Sequence, residues 1–301
     1  MINMATFHIS AFADEGGKTL AEQIAALKAH GFTHIEPRGL DEGNISVYTP
    51  EQAKAVKKVL DENGIGVSSI GSHYGKIEIT ADFEPHFEAF KNCVEVANIL
   101  GTKRIRMFSF YFNNGESYDE YRDEVFARIE KMCDYSLANG VLCCHENEKG
   151  IYGDIDTRCL DLLKTFKGKL GGIFDPSNFI QCGVKILPAY EMLKEYIDYF
   201  HIKDCLYEGG RVVPAGCGDG DIVELLKRFD ADNTGDHFLT LEPHLKVFDG
   251  LKDLETEGGQ ADKLKDDYSY PTNRAAFDAA ADALDKCLAD AGILNKTTKI
   301  Y

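Results

Sequence analysis

At 301 residues the chain is long enough for one large barrel domain or two smaller domains. Its 50 acidic residues against 33 Lys and Arg give a net charge of −17, which repels phosphate backbones and excludes nucleic acid as the expected partner. No run approaches the length of a membrane span, and no basic stretch leads into an apolar one at the N-terminus. The expectation is therefore a soluble, cytoplasmic protein without a membrane partner.

Short β-type runs alternate with longer helical patterns along the whole chain. The strands are expected at 6–10, 33–38, 66–71, 104–110, 141–146, 172–175, 199–203 and 238–242. The helices are expected at 19–30, 50–63, 83–100, 118–139, 157–166, 188–196, 221–228 and 273–291. Gly31, Gly64, Gly101 and Gly140 each follow a helical pattern and lead into a strand, a common helix stop. Eight such units predict a single (β/α)₈ TIM-barrel domain over 1–301. An open doubly wound sheet would need a glycine-rich phosphate loop after an early strand, and Ala11–Gly17 is not one. One connection is anomalous. The segment 245–272 before the last helix is long enough to be a lid or a partner surface, or a solvated excursion. The nine cysteines are scattered and form no Cys-x-x-Cys motif, so reduced, mostly buried thiols are expected.

Four successive strands end on groups that bind metals or move protons. These are Glu146, Asp175, His201 and Glu242. Parallel strands closed into a barrel would aim all four at one point at their C-terminal ends. Three carboxylates and one imidazole form a mostly oxygen donor set. It suits one divalent cation, Mn²⁺ first and Mg²⁺ or Co²⁺ next, better than structural zinc. Such a metal would polarise a carbonyl or gather adjacent sugar oxygens, and a neighbouring carboxylate could take a proton from carbon.

Other groups fall near the same mouth. Glu36 and Arg38 share one strand face, and Arg38 could clamp a sugar oxygen or an acidic substituent. Arg106, His73 and Lys203 are further candidates for the substrate cleft, each with a plainer reading as an ion-paired or exposed side chain. Strand alternation sends His145 and Glu146 to opposite faces. His145 is then a hydrogen-bonded histidine behind the strand, unless the strand twists and brings it over the mouth as a general base. The segment Gly216–Gly220 looks like a phosphate cradle but lacks a P-loop lysine, and it reads as a turn and helix start.

These residues carry a resemblance. Phe12-Ala13-Asp14-Glu15, Ile35-Glu36-Pro37-Arg38-Gly39, Gly75-Lys76, the segment 106–110, the segment 145–154, the segment 174–178, His201-Ile202-Lys203-Asp204 and Leu241-Glu242-Pro243-His244 resemble the sugar phosphate isomerase/epimerase family of xylose-isomerase-like TIM barrels. The resemblance covers nearly the whole chain. It implies that Glu146, Asp175, His201 and Glu242 bind the metal, and that Glu146 and Glu242 act as opposed acid and base. Asn178, another candidate for substrate contact, stands where the family's epimerases often carry a histidine. Their arginine shortly after the metal histidine has no clear counterpart, and both departures argue against a ketohexose 3-epimerase. The His145-Glu146-Asn147-Glu148 form is similar to the C-glycoside deglycosidase α subunits of the family, where His145 would be the base.

The expected function is a divalent-metal-dependent isomerase or epimerase acting on a sugar. The alternative is β-elimination from a keto sugar, by a deglycosidase or an inosose-type dehydratase. An endonuclease on the same barrel would need more metal-binding histidines and a basic face. A non-catalytic sugar-binding protein would not need four intact ligands. The resemblance also implies a homo-oligomer, or a complex with a small β-rich subunit if the deglycosidase reading holds.

Overall fold

A computed structural model of the chain describes residues 5–41, 43–246 and 270–300. The core is a closed barrel of eight parallel strands. They are β1 (Ala5–Ala11), β2 (His34–Ile35), β3 (Gly66–Val67), β4 (Arg104–Met107), β5 (Leu142–Glu146), β6 (Leu170–Phe174), β7 (Ile197–Ile202) and β8 (Gly235–Leu241). Six form one sheet in the order β1-β8-β7-β6-β5-β4, and β2 pairs with β3. Backbone hydrogen bonds close the ring on both sides of that pair. Glu36 N–H donates to Ala11 O at 3.0 Å, and Ile70 N–H donates to Arg104 O at 3.1 Å. The barrel expected from the alternating pattern is the one observed.

The regular part of β2 is shorter than the expected 33–38. Pro37 has no N–H to continue a ladder, and the chain beyond Ile35 bonds singly to several neighbours instead. The expected strand at 66–71 is likewise regular only over Gly66–Val67, and Ile70 alone bridges to β4.

Helices cover the outside. They are α1 (Leu20–Ala29), α2 (Pro50–Glu62), α3 (Phe83–Leu100), α4 (Tyr118–Ala138), α5 (Asp156–Thr165), α6 (Pro176–Gln181), α7 (Ile186–Leu193), α8 (Ile222–Asp232) and α9 (Asn273–Asp290). Their starts are chemically marked. Thr19 with Glu22, and Thr49 with Gln52, form reciprocal capping boxes. At the end of α3, Gly101 takes φ +79°, which a side chain would strain. The short α6 was not expected. Asp175 caps it and Pro176 opens it, a start signal that lay unread inside the Asp-Pro sequence. The expected loop at 245–272 lies outside the described residues from 247 to 269.

Strand alternation splits the core in two. Outward residues such as Ile105, Met107, Cys143, Phe174, Phe200, Leu239 and Leu241 pack into the main cluster with the helices. Inside the barrel a small separate cluster of Cys144, Ile173 and Tyr199 forms, with Leu142 and Phe238 beneath it. This plug fills the barrel, so polar side chains one step further along the strands stand on an apolar floor. The described cysteines carry no disulfide, and most are buried. No described helix is long and apolar enough to cross a membrane.

Candidate active site

Glu146, Asp175, His201 and Glu242 end β5, β6, β7 and β8 on the inward face, and all four are buried. One donor atom from each lies within 4.8 Å of all the others. Opposite ligands of a cation with bonds of about 2.1–2.4 Å sit about 4.2–4.8 Å apart, so the spacing fits one divalent ion. The donor set fits as well, because three crowded carboxylates need positive charge between them. His201 would bind through Nδ1, which lies 2.9 Å from Glu146 Oε1 and 3.2 Å from Glu242 Oε2. Asp175 has a double use. Its Oδ1 accepts from the Asn178 N–H at 2.9 Å and caps α6, which leaves Oδ2 for the cluster.

Cations surround these carboxylates. Arg106 Nη1 donates to Glu146 Oε2 at 3.0 Å and lies 3.8 Å from Glu242 Oε1. Arg38 Nη1 donates to Glu242 Oε1 at 3.1 Å, while its other nitrogens bind Asp14 and Glu15. Lys203 Nζ is 2.8 Å from Asp175 Oδ2 and 3.3 Å from Glu242 Oε2. The Phe12 ring packs edge-on to His201 at 5.1 Å and lies under both guanidinium groups.

The charges respond to these neighbours. Burial alone would raise the Glu146 carboxyl, but His201 and Arg106 outweigh it and hold it at about 2. Burial works the same way on Glu242, and Lys203 and His244 draw it well below the ordinary range. Asp175 goes the other way. Burial pushes it up to about 7, and Lys203 offsets that only in part. Burial opposes charge on His201 too, yet Glu146 and Glu36 draw its ring well above the usual range.

The remaining candidates divide. Arg38, Arg106 and Lys203 stand against the cluster. Asn178 joins it from α6, where its Nδ2 donates to Asn147 O at 2.9 Å and to Glu146 Oε1 at 3.4 Å. His73 sits at the rim, stacked on Tyr74 and 3.3 Å from the Ser46 hydroxyl. Glu36 was expected at the mouth and is not there. It is fully buried one layer below, under His201, where it accepts from Tyr199 and Thr240.

His145 also requires correction. Its ring lies on the outer face of β5, with Nε2 2.9 Å from the Ser109 hydroxyl. Cys159, Leu163 and Leu193 of the covering helices line the space around it. A Cβ on Gly153 would come within 2.4 Å of the ring, so only glycine lets the following loop close over it. Burial pushes this imidazole down to about 4. The general-base role expected for His145 does not fit a ring facing away from the cluster.

Sequence reasoning left several site residues without a role. Asp14 and Glu15 follow β1 in a tight turn and clamp Arg38. Burial pushes Glu15 up to about 7, with His244 and Arg38 offsetting only part of the rise. Glu15, Glu242 and His244 make a second close set that shares Glu242. His244 holds φ +47°, a strained value for a residue with a side chain. The available signal was the acidic pair immediately after the first strand. Lys76 and Glu148 pair at 3.1 Å nearer the rim.

The glycine-rich segment 216–220 is explained by Asp204. The Asp204 carboxylate accepts three backbone N–H bonds, from Gly216, Gly218 and Gly220, each at 2.9 Å. The cradle is filled by the chain's own carboxylate, and a Cβ on Gly218 or Gly220 would collide with it.

This architecture has known relatives. Residues 24–265 match the family model described as xylose isomerase-like TIM barrel. A 3-dehydroshikimate dehydratase of Bacillus anthracis is 23% identical over 176 residues, 58% of this chain. The match spans about three-fifths of that curated relative, 62% of its length. An L-ribulose 3-epimerase structure superposes with a TM-score of 0.70 at 18% identity, covering 97% of this chain and 96% of that one. The IOLI protein, solved with a bound zinc atom, gives 0.69 at 14% identity, with 95% and 99% covered. Those two likenesses concern the fold. With most of its length matched by the family model, the chain belongs to the xylose isomerase-like TIM barrel family.

Proposed function

We propose that this protein is a divalent-metal-dependent enzyme that takes a proton from a carbon next to a carbonyl or hydroxyl of a sugar or sugar-derived polyol, and so isomerises or epimerises it. The observation that carries the reading is the convergence of Glu146, Asp175, His201 and Glu242 on one buried point at the barrel mouth. A divalent cation held there, Mn²⁺ in the first place, supplies a Lewis acid for adjacent substrate oxygens.

The chain's own residues do the rest. Glu146 and Glu242 come from β5 and β8 and are held as carboxylates by their cationic neighbours, so each is available to take or return a proton. Lys203 and Arg106 keep donors beside them for substrate oxygens. The Phe12 ring and the apolar plug below exclude water from that side.

A second reading is elimination, favoured by the curated relative being a dehydratase. Both reactions begin with the same proton abstraction and differ in whether a β-substituent then leaves. Mn²⁺-reconstituted protein should bind one metal per chain by elemental analysis. It should also exchange the C–H next to a ketose carbonyl for deuterium in D₂O, and chelator should stop the exchange. A protein without bound metal, or exchange indifferent to chelator, would overturn the proposal. Free ketoses assayed beside 3-keto glycosides and cyclic β-hydroxy ketones separate epimerisation from elimination.

A further inference from the structure

We infer that Glu36 is the positioning residue of His201, accepting a hydrogen bond from Nε2–H so that Nδ1 faces the metal point. This rests on the metal reading above. An imidazole ligand must be neutral, with its lone pair on the binding nitrogen and its one hydrogen on the other. That hydrogen needs an acceptor when the ring is buried.

The geometry provides one. Nδ1 points up between Glu146 and Glu242, and Nε2 points down at Glu36 Oε2, 3.4 Å away. Nε2 has no hydrogen-bond partner among the described residues, and the Glu36 carboxylate lies 3.4 Å from it. At 3.4 Å the contact is slightly longer than the usual N–H···O range of about 2.7–3.2 Å, so the inferred bond requires a slight approach of the two groups. Glu36 is itself fixed. Its Oε1 accepts from the Tyr199 hydroxyl at 3.0 Å, and its Oε2 accepts from the Thr240 hydroxyl at 2.9 Å.

Those partners come from the same strands as the metal set. Tyr199 lies two residues before His201 on β7, and Thr240 lies two residues before Glu242 on β8. Inward alternation therefore builds the ligand layer and its supporting layer together. Glu36 has no exposed surface, so contact with substrate is not its role. A carboxylate behind a ligating histidine fixes its tautomer, fixes its plane and raises its basicity. The edge-on rings of Phe12 and Tyr199 hold the same plane from the sides.

Glu36→Gln tests the idea, since it keeps the shape and removes the charge. Calorimetry with Mn²⁺ should show affinity falling by about 10–100-fold. In zinc-loaded protein labelled with ¹⁵N-histidine, wild-type His201 should show a protonated Nε2 and a metal-bound Nδ1. The Nε2–H resonance should move in the variant. Unchanged affinity with an unmoved resonance, or a wild-type spectrum with the metal on Nε2, would overturn the inference. If Glu36→Gln does not fold, Tyr199→Phe decides. It removes one anchor of Glu36, and either a weaker Mn²⁺ affinity with a shifted Nε2–H or no change in both settles the case for or against. Failure of the wild-type protein to bind any divalent cation would instead sink the metal reading itself.

Discussion

His145 and His201 are both fully buried in the wall of one barrel, two strands apart, and they are driven in opposite directions. His145 faces outward against helices, with one hydroxyl for company, and burial pushes its ring down to about 4. His201 faces inward among carboxylates. Burial opposes charge there as well, but Glu146 and Glu36 prevail and draw it well above the usual range. The comparison shows that burial does not by itself decide the state of a histidine. The partners that alternation places beside it do. The outer face of the wall packs mainly apolar side chains against the helices, whereas the inner face at the mouth is a dense array of opposed charges.

The largest expected effect lies on the inner face. Glu146→Gln and Glu242→Gln should each lower kcat by about 10²–10⁴-fold, because on the proposed function each removes a proton carrier and a ligand charge together. Circular dichroism should show the barrel retained, since the apolar plug does not depend on these groups. Near-full turnover in both variants would mean that the reaction occurs elsewhere.

On the outer face a mutation should cost stability rather than chemistry. His145→Ala should lower the urea-unfolding free energy by about 2–3 kcal/mol, from lost packing and a disturbed Ser109. Turnover of the folded, metal-loaded variant should stay of the same order as wild type. A collapse of turnover at unchanged stability would break the comparison and restore the general-base role.

The smallest effect concerns acid. His86 on α3 belongs with the outer histidines. It accepts the Gly75 N–H at 2.8 Å, which requires an unprotonated Nε2, and burial pushes it down to about 4. Between the unfolded value near 6.5 and the folded value near 4 the unfolded chain binds the extra proton, so stability falls as pH falls through that window. Each such histidine contributes at most about 1.4 kcal/mol per pH unit. His86→Gln keeps an acceptor for Gly75 without titrating. Its stability should therefore decline less steeply than wild type from pH 6.5 to 4. Parallel profiles would show that His86 is not charged on unfolding.

Much of this site was legible before any fold. The four converging strand-end residues followed from short apolar runs that each stop on a carboxylate or imidazole. Alternation also gave the correct sides for His145 and Glu146, although it left open a twist that the structure does not make. Helix α6 was missed because its Asp-Pro start is only six residues from its end. The partners of Arg38 were not visible: Asp14 and Glu15 come from a turn after β1, and Glu242 from a distant strand end. Nothing local could show that Asp204 would fill the glycine cradle, because the bonds are made 12 to 16 residues away.

The sequence by itself determined the alternation of strands and helices, the residue types at the strand ends and the face each would take. Those depend on side-chain period and on residue chemistry, which are local properties. Only the tertiary structure decided depth. Glu36 and Arg38 share the inward face of one chain segment, yet one lies under His201 and the other reaches Glu242. Closure of the barrel staggers each strand against its neighbours, and that stagger sets the layer in which a residue lands. A residue's layer is therefore a property of all eight strands together, and it separates a side chain at the barrel mouth from one buried beneath it.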